Sequence, residues 1–430
     1  MKRLDSAHPR RQRGAAALLV VVVLFFILAM VTAYAGRSLI FEQRTSINNQ
    51  RTAQAFEAAE SGLDFAIGLL GGGRVDAACA STTDVAFDSF RQRHLSQDAS
   101  GNYTTPGAQA TLTPSCMLLG PPNGARCSCP SAGAPALGVP VGGLVPTFQV
   151  HFETTGIGQP GVVRAVSRGC SSIGQECYAA AAPTRADAVA EVSVLLGLNS
   201  ALATPPSAAL TIRGGLNANG GALAIVNADV PTRGITIDAG GAIVNDGNVQ
   251  LSSTPGTPGS ASVLASDPSL TELATSDRMF VSVFGMDRAT YRSQPAAVQV
   301  ICSGNCATQI ATAVSQNPGR MIWVQGPATI DSAQVWGTAA QPVMLLVQGN
   351  LTVSANLQLF GVLYLQGDAT TWTTNAGTTL VQGAVVAEGD LSVQGAPTIV
   401  FNPGVLQTIN LTQGSLVRIP GSWRDFAAGS

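Results

Sequence analysis

The chain carries the run AAALLVVVVLFFILAMVTAYA at residues 15–35, without a charged side chain. Wound as an α-helix, these 21 residues extend about 31 Å, which matches the roughly 30 Å hydrocarbon core of a bilayer. The apolar part of a secretory signal is shorter, roughly 7–15 residues. We therefore predict a transmembrane helix over residues 15–35 that remains as an anchor.

Positive charge is concentrated just before this run. Residues 1–14 hold five basic side chains against one acidic side chain, and we assign them to a cytoplasmic basic leader. Cationic flanks stay on the cytoplasmic side of a membrane, so everything after Gly36 faces the other side. We expect a single-pass protein of a bacterial inner membrane with its bulk in the periplasm.

The helical pattern continues past the membrane. Residues 36–70 contain no proline, and apolar side chains recur there at the three- and four-residue spacing of one helical stripe. The stripe consists of Phe56, Ala59, Leu63, Ile67 and Leu70. Three glycines from Gly71 supply a stop. One continuous helix over residues 15–70 is predicted, and its extension over residues 36–70 would lay the stripe against a globular domain.

Two segments of this helix carry a family resemblance: RQRGAAALLVVVVL from residue 11 and AFEAAESGL from residue 55. Both are similar to the PilX N-terminal domain family, which comprises minor type IV pilins and pilus assembly proteins. The closing PGSWRDF at residues 420–426 also resembles, more weakly, long proteins with this N-terminus. The resemblance implies a pilin-like helix that packs on an antiparallel sheet.

The resemblance also implies roles for individual residues. Gly14 and Ala15 would flank the bond that a prepilin peptidase cuts. A family helix motif would be formed by Phe56, Glu57, Ala58, Ala59 and Glu60. Charged residues on a helix are usually solvated, which is the simpler interpretation of the two glutamates. The alternative is that they pack or pair against the globular domain.

Leu19 stands at the fifth position of the predicted mature chain, where major pilins carry Glu. This absence resembles the tip-located members of the pseudopilin system, and it implies a place at the pilus tip outside the cell. The implied partners are other pilins and minor pilins, bound through the N-terminal helix, together with the prepilin peptidase and the inner membrane. A surface ligand stays unidentified.

The bulk composition favours many short strands joined by turns. Gly (47) and Pro (24) are frequent among the 430 residues, and only 11% of the residues are charged. The net charge is −2, and no basic cluster follows residue 14. Nucleic-acid binding therefore has no electrostatic footprint in this chain.

All eight cysteines follow the membrane segment, and an even number in an exported chain favours disulfides. Eight cysteines allow about a hundred pairings, so we propose only two local pairs. These are Cys170 with Cys177 and Cys302 with Cys306. Zinc is the rival interpretation for Cys127 and Cys129, but no second Cys or His pair follows at ligand spacing. We predict neither a metal nor another cofactor.

Residues 71–198 are predicted to form a pilin-like β domain with cysteine-containing loops. Apolar and polar residues alternate at residues 148–154, 162–168 and 186–196, with turn residues between the first two. This pattern indicates an antiparallel meander. Under the pilin resemblance, the sheet would pack on the second half of the long helix.

The composition changes after residues 199–207, a stretch with Thr-Pro-Pro that we interpret as a linker. Short β-branched runs then recur, and the turns QGN, QGD, QGA and EGD from residues 348, 366, 382 and 388 are variants of one theme. We predict a β-helix-like solenoid over residues 208–430, with a partly helical insertion at 268–320. The predicted fold class is therefore α+β and mostly β.

No catalytic residue is assigned. Asp368, Glu388 and Asp390 lie in glycine turns, where carboxylates commonly serve the turn itself. Asp238 and Asp246 would bind a metal only if the fold brought them together. We predict a non-enzymatic minor pilin that primes assembly and presents a solenoid for surface contact. The alternative is a membrane-anchored adhesin or a glycan-acting β-helix protein outside any pilus.

Overall fold

A computed structural model describes residues 13–98, 100–104, 113–130, 136–138, 145–155, 159–172 and 188–425, with side chains from residue 17 onward. The chain opens with one helix, α1 (Arg13–Leu70). Domains made mostly of strands follow it. The long apolar helix that the sequence predicted is therefore present, and it ends at the predicted residue before the three glycines.

The first domain contains one short helix and seven strands. They are α2 (Phe90–His94), β1 (Ser96–Gln97), β2 (Tyr103–Thr104), β3 (Ser115–Gly120), β4 (Gly124–Ser128), β5 (Thr147–Thr154), β6 (Val162–Cys170) and β7 (Val189–Ser200).

The second domain contains short strands and the remaining helices. Its first strands are β8 (Leu210–Ile212), β9 (Leu216–Ala218), β10 (Ala224–Val226), β11 (Ile237–Ala239), β12 (Ile243–Asn245), β13 (Gln250–Ser252) and β14 (Val263–Ala265). Its helices are α3 (Pro268–Thr271), α4 (Ser276–Phe284), α5 (Arg288–Ser293), α6 (Ala307–Gln316) and α7 (Pro403–Thr412).

The later strands of this domain alternate with tight turns, and one more strand closes the chain. They are β15 (Ala297–Ile301), β16 (Gly304–Asn305), β17 (Met321–Gln325), β18 (Ala328–Ile330), β19 (Gln334–Trp336), β20 (Val343–Gln348), β21 (Leu351–Val353), β22 (Leu357–Gln366), β23 (Ala369–Thr374), β24 (Thr379–Ala387), β25 (Asp390–Gln394), β26 (Pro397–Phe401) and the closing strand β27 (Gly414–Arg418).

An antiparallel sheet packs against the C-terminal part of α1. Its strand order is β27-β7-β6-β5-β3-β4. Strands β5, β6 and β7 form the meander that the alternating pattern predicted, with Phe152 opposite Ala165 and Ala165 opposite Val194. These three side chains are buried with Leu63 and Leu70 of α1, so the apolar face of the sheet is covered by the helix. We call this unit, with residues 414–425, the antiparallel domain.

Residues 208–413 form what we call the parallel-strand domain, in which every strand pair is parallel and the strands form three rows. The first row runs β15-β17-β20-β22-β24-β8-β11-β14. The second runs β19-β22-β24-β26-β10-β13, and the third runs β16-β18-β21-β23-β25-β9-β12. Strands β22 and β24 are long enough to contribute to two rows.

Glycine is required where β22 and β24 bend from one row into the next. Gly361 pairs with Gly383, and both have φ near +148°. A Cβ on Gly361 would lie 1.7 Å from the carbonyl oxygen of Val343. The sequence grouped Gly383 with the turn glycines Gly349 and Gly367, but its partner in the neighbouring strand is Gly361. A bend inside a strand and a turn between strands share the same Gln-Gly dipeptide here.

The first strand of this domain, β8, lies inside the first row and not at its end. Strand β8 pairs with β24 on one side and with β11 on the other. The chain therefore runs outward to β14 at one end. It reaches the opposite end at β15 after the helical residues 268–293 and returns strand by strand to β26 beside its entrance. Residues 268–293 of the predicted insertion 268–320 are thus the connection between the two ends of the rows, whereas β15 and β16 belong to the rows themselves.

Two predicted boundaries differ from the structure. Strand β7 extends to Ser200, and Ala201 and Leu202 are buried, so residues 199–207 are not a solvated linker along their whole length. The predicted C-terminal domain extended to residue 430, but β27 pairs with β7, with Gly414 opposite Ser200 and Arg418 opposite Leu196. The parallel-strand domain is therefore inserted between two neighbouring strands of the antiparallel sheet.

Candidate functional site

The first half of α1 is an exposed apolar surface. Every side chain from Leu18 to Leu28 is exposed, with Leu19 at 65%. In the described part of the chain, α1 is the one helix long and apolar enough to cross a membrane, and the protein buries none of its apolar window. Because water solvates such a surface poorly, the helix needs lipid or the apolar surface of other subunits around it. The backbone of Gly14 and Ala15 belongs to the same helix.

The family helix motif lies where α1 meets the sheet. Ala58 and Ala59 are fully buried, as is Ala55 just before the motif. Facing them on β6 is Gly169, where a Cβ would lie 2.0 Å from the carbonyl oxygen of Ala55. Small residues on both sides therefore let the helix backbone touch the sheet backbone.

The two glutamates of the motif do not take part in this contact. Glu57 and Glu60 are both exposed. Neither carboxylate forms an ion pair with any residue that the structure describes. The simpler interpretation, a solvated helix face, agrees with this geometry.

The C-terminal segment contacts the same helix. The ring of Trp423 packs edge-on against Phe56, with centroids 6.1 Å apart. Arg418 forms an ion pair with Asp64 of α1. The backbones of Arg424 and Ser193 exchange two hydrogen bonds, of 2.8 and 2.9 Å. The two stretches that resemble one family in sequence are thus in contact, although their separation in the chain gave no sign of it.

The cysteines form disulfides in both domains. Cys79 is bonded to Cys129, and Cys116 to Cys127. Cys127 and Cys129 therefore have different partners, which contradicts a zinc site at that pair. Among the described residues, no group of three or more His, Cys, Asp or Glu side chains could hold a metal ion.

The two pairs proposed from spacing have different outcomes. Cys302 is bonded to Cys306. Cys170 is disulfide-bonded, and the predicted partner Cys177 lies outside the described residues.

The structure describes two histidines, and both contact neighbouring side chains. His94 lies in the core between the rings of Phe90 and Phe152. Burial and the neighbouring Arg93 lower its pKa to about 4. His151 lies 3.3 Å from Glu153 on the sheet surface. His94 is buried because α2 turns its ring into the core.

The most buried acidic residue lies in the parallel-strand domain. The side chain of Glu388 is 0% exposed. It accepts hydrogen bonds from the Tyr364 hydroxyl at 2.8 Å and the Gly367 amide at 3.1 Å, and Arg288 of α5 pairs with it at 3.2 Å. Burial raises the pKa of Glu388, and the Arg288 charge partly opposes that rise. This cluster fastens the helical connection to the rows of strands.

The other turn carboxylates do not converge on Glu388. Asp368 is 82% exposed and pairs with Arg213 at 3.4 Å. Asp390 accepts from the Gly215 amide at 2.7 Å. They stabilise turns, as the sequence suggested, whereas the buried Glu388 carboxylate binds the Tyr364 hydroxyl and the Arg288 guanidinium in addition to the turn amide of Gly367. The signal for Glu388 was its place in the series: Gln348 pairs with Gln366, and Glu388 directly follows Ala387, which pairs with Leu365.

Asp238 and Asp246 are not brought together. The Asp246 carboxylate accepts from the Gly220 amide at 2.9 Å. Asp238 instead lies beside Asp267, the residue that caps α3. Burial and the Asp267 charge raise the pKa of Asp238 to about 6. Asp238 is therefore protonated below about pH 6, and the pair offers two carboxylates, fewer than a protein metal site normally uses.

No family model and no curated protein matches the chain. Among solved structures, the chain is similar to the crystal structure of the competence-associated pilin ComZ from Thermus thermophilus. The match has 13% identity and covers 87% of this chain and 97% of that chain, with a TM-score of 0.21. At that TM-score the match carries no structural argument, so the function must be argued from the chain's own geometry.

The described residues therefore provide one exposed apolar surface, on the first half of α1. They bring no reactive side chains together. The exposed half of α1 can insert into lipid or pack with other helices. The buried part of α1 joins that surface rigidly to the antiparallel sheet.

Proposed function

We propose that the protein is a minor pilin-like structural component of type IV pilus assembly, anchored in the inner membrane before assembly. The observation that carries this proposal is the division of α1. Its N-terminal half is apolar and exposed, and its C-terminal part packs on an antiparallel sheet through Ala55, Ala59 and Gly169. Such a helix exchanges lipid for the helices of other pilins without rearranging the domain.

Maturation would occur at the bond between Gly14 and Ala15. A prepilin peptidase works at the cytoplasmic face of the membrane, and the basic leader places this bond there. N-terminal sequencing of protein purified from cells should give Ala15 as the first residue. A chain from assembled material that begins at Met1 or Lys2 contradicts the pilin assignment.

Leu19 supports a place at the tip. A carboxylate at membrane depth costs about 2.5–3.5 kcal/mol, so a pilin keeps it only where the terminal amine of another subunit can pair with it. A tip subunit has no subunit above it and loses nothing with leucine. It would also wait stably in the bilayer and prime assembly with other minor pilins. Gold labelling of a C-terminal tag should mark filament ends, whereas label spread along the shaft contradicts this position.

We further assign the parallel-strand domain to a β-solenoid that makes surface contact, and the N-terminus to the PilX N-terminal domain family. Support for the solenoid comes from the three rows of parallel strands. Support for its outward position comes from Gly71 and Gly73, which follow α1 and approach Pro295 and Asn317. The domain thus lies at the end of α1 that is away from the membrane.

This role requires no catalysis. Hydrolysis or cleavage of a glycan by the purified full-length protein would contradict it. Deletion of the gene should reduce the number of pili, because a priming subunit is lost. Normal piliation after deletion argues against priming.

A further inference from the structure

A cleft of about 240 Å³ lies where the two domains and the end of α1 meet. Six segments that are separate in the sequence line it. Among them are the end of α1, the α2–β2 region, the residues before β17 and the segment after α7, and Ala296 and residues 340–342, before β15 and β20, complete the lining. Its polar lining side chains include Arg91, Gln92, Tyr103, Arg320 and Gln341.

The described residues that line the cleft include two arginines and no carboxylate. Arg91 donates to the Tyr103 hydroxyl at 2.6 Å and to the carbonyl oxygen of Gly414 at 3.1 Å. Arg320 donates to the Pro295 carbonyl and to the Asn317 amide oxygen, both at 2.6 Å. Neither guanidinium forms an ion pair with a described carboxylate. These hydrogen bonds hold the two guanidinium groups in place but leave their positive charge without a counter-charge.

Burial makes this charge costly. Both arginines are partly buried, and burial lowers the pKa of Arg320. A partly desolvated cation is stabilised when an anion joins it. The C-terminus of α1 supplies roughly half a negative charge at one wall, which is less than the charge of the two guanidiniums. The cleft therefore retains a net positive charge that no protein group in its lining neutralises.

The lining indicates which anion fits. Each guanidinium has five N–H donors, so donors remain free for a carboxylate, which arginine binds through two parallel hydrogen bonds. Gln92, Gln97, Gln341 and Ser96 add amides and a hydroxyl that can donate to or accept from sugar hydroxyls. The volume is below the roughly 300–1,000 Å³ of sites for drug-sized ligands, which limits the ligand to about one ring.

We propose that this cleft binds a single acidic sugar residue, such as the uronic acid unit of an anionic surface polysaccharide, with Arg91 and Arg320 holding its carboxylate. The proposal goes beyond pilus assembly and names a chemical class for the surface contact. It stands independently of the tip position, since the cleft exists in the single subunit.

The test uses the full-length protein in a polyoxyethylene detergent, because sugar-headed detergents would compete. Saturation-transfer NMR, titrated with ligand, detects millimolar binding of D-glucuronate and D-glucose through their carbon-bound protons, and inorganic phosphate is added as a competitor of glucuronate. We expect glucuronate to bind, and glucose to bind at least tenfold more weakly. Equal binding of the two sugars overturns the proposal. Phosphate that displaces glucuronate and binds more tightly overturns the assignment to a sugar.

Matched variants separate the site from a general charge effect. Arg320→Gln should weaken glucuronate binding about tenfold or more, since a charge-assisted pair is lost. Arg320→Lys should retain part of the glucuronate binding, because lysine keeps the positive charge but lacks the planar guanidinium that forms two parallel hydrogen bonds. Arg278→Gln removes an exposed arginine of α4 outside the cleft and should leave binding unchanged. Equal loss in the Arg278 and Arg320 variants, with unchanged unfolding temperatures, overturns the site.

Discussion

The two domains of this protein are stabilised in different ways. The antiparallel domain buries one face of its sheet on α1, through small residues such as Ala59 and Gly169, and two described disulfides close its loops. The parallel-strand domain buries its strands against one another. Its core contains Trp323, Trp336 and Trp372. One domain depends on a partner helix and covalent bonds, and the other on its own stacked rows.

This difference has a functional consequence. Under the proposed function, the domain that transmits position from α1 is the one whose backbone contacts that helix. The inserted domain is joined covalently to the antiparallel sheet through β7 and β27, and it also contacts the residues just after α1, where Arg74 donates to the carbonyl oxygen of Ser315. Hydrogen exchange measured by mass spectrometry on the full-length protein reports each domain separately, so it can test the comparison directly.

The largest effect is expected from Glu388→Gln. The change leaves the Arg288 guanidinium partly buried without its anion, and breaking a buried pair costs about 3–5 kcal/mol. Exchange should accelerate in peptides from β22 and β24 and stay unchanged in β5 and β6. The control is Asp368→Asn, an exposed partner of Arg213, which should cost about 1 kcal/mol or less. Equal effects of the two variants would show that the buried cluster does not stabilise the domain.

Removal of a disulfide should destabilise the antiparallel domain more than the parallel-strand domain. Cys79 and Cys129 are 50 residues apart in the sequence, and Cys302 and Cys306 are 4 apart. Because a disulfide restricts the unfolded chain more when its loop is longer, the losses should be about 4 and about 2 kcal/mol. Alanine at both positions of each pair, compared by urea unfolding, gives the ratio. A larger loss from the short loop contradicts this explanation.

The helix–sheet contact should respond to a single methyl group. Gly169→Ala forces a Cβ against the backbone of α1 and should destabilise the antiparallel domain by about 1–3 kcal/mol. Gly68→Ala, on the exposed face of the same helix with no atom within 4 Å of its Cβ, should instead stabilise by up to about 1 kcal/mol. Unfolding midpoints of the two variants should move in opposite directions.

The smallest effect concerns pH. The pKa of Asp238 is raised from 3.8 to about 6 in the folded protein, so the folded state binds this proton more tightly. The resulting stability is fully present below about pH 4 and is lost as the pH rises through about 6. The difference in unfolding free energy between wild type and Asp238→Asn should therefore fall over that range and level off above it. A difference that is constant with pH would show that Asp238 does not hold the proton.

The sequence predicted the features that depend on local pattern. Length and hydropathy identified α1 to its last residue, and alternation identified β5, β6 and β7. Pairing between distant segments was not predictable in this way. Nothing in residues 414–418 indicates that they join β7 rather than the rows before them. The burial of Glu388 likewise depends on the alignment of neighbouring strands, and the pairing of Cys79 with Cys129 was one of about a hundred alternatives.

The central claim is that α1 assembles this protein into a filament. Pili sheared from cells and purified away from membranes test it most directly, when their protein is quantified by mass spectrometry against the inner-membrane fraction. The account predicts that the sheared fraction contains the chain in small amounts relative to the major pilin, with Ala15 as its first residue. Protein found solely in the inner membrane, with residues 1–14 still attached, would contradict it.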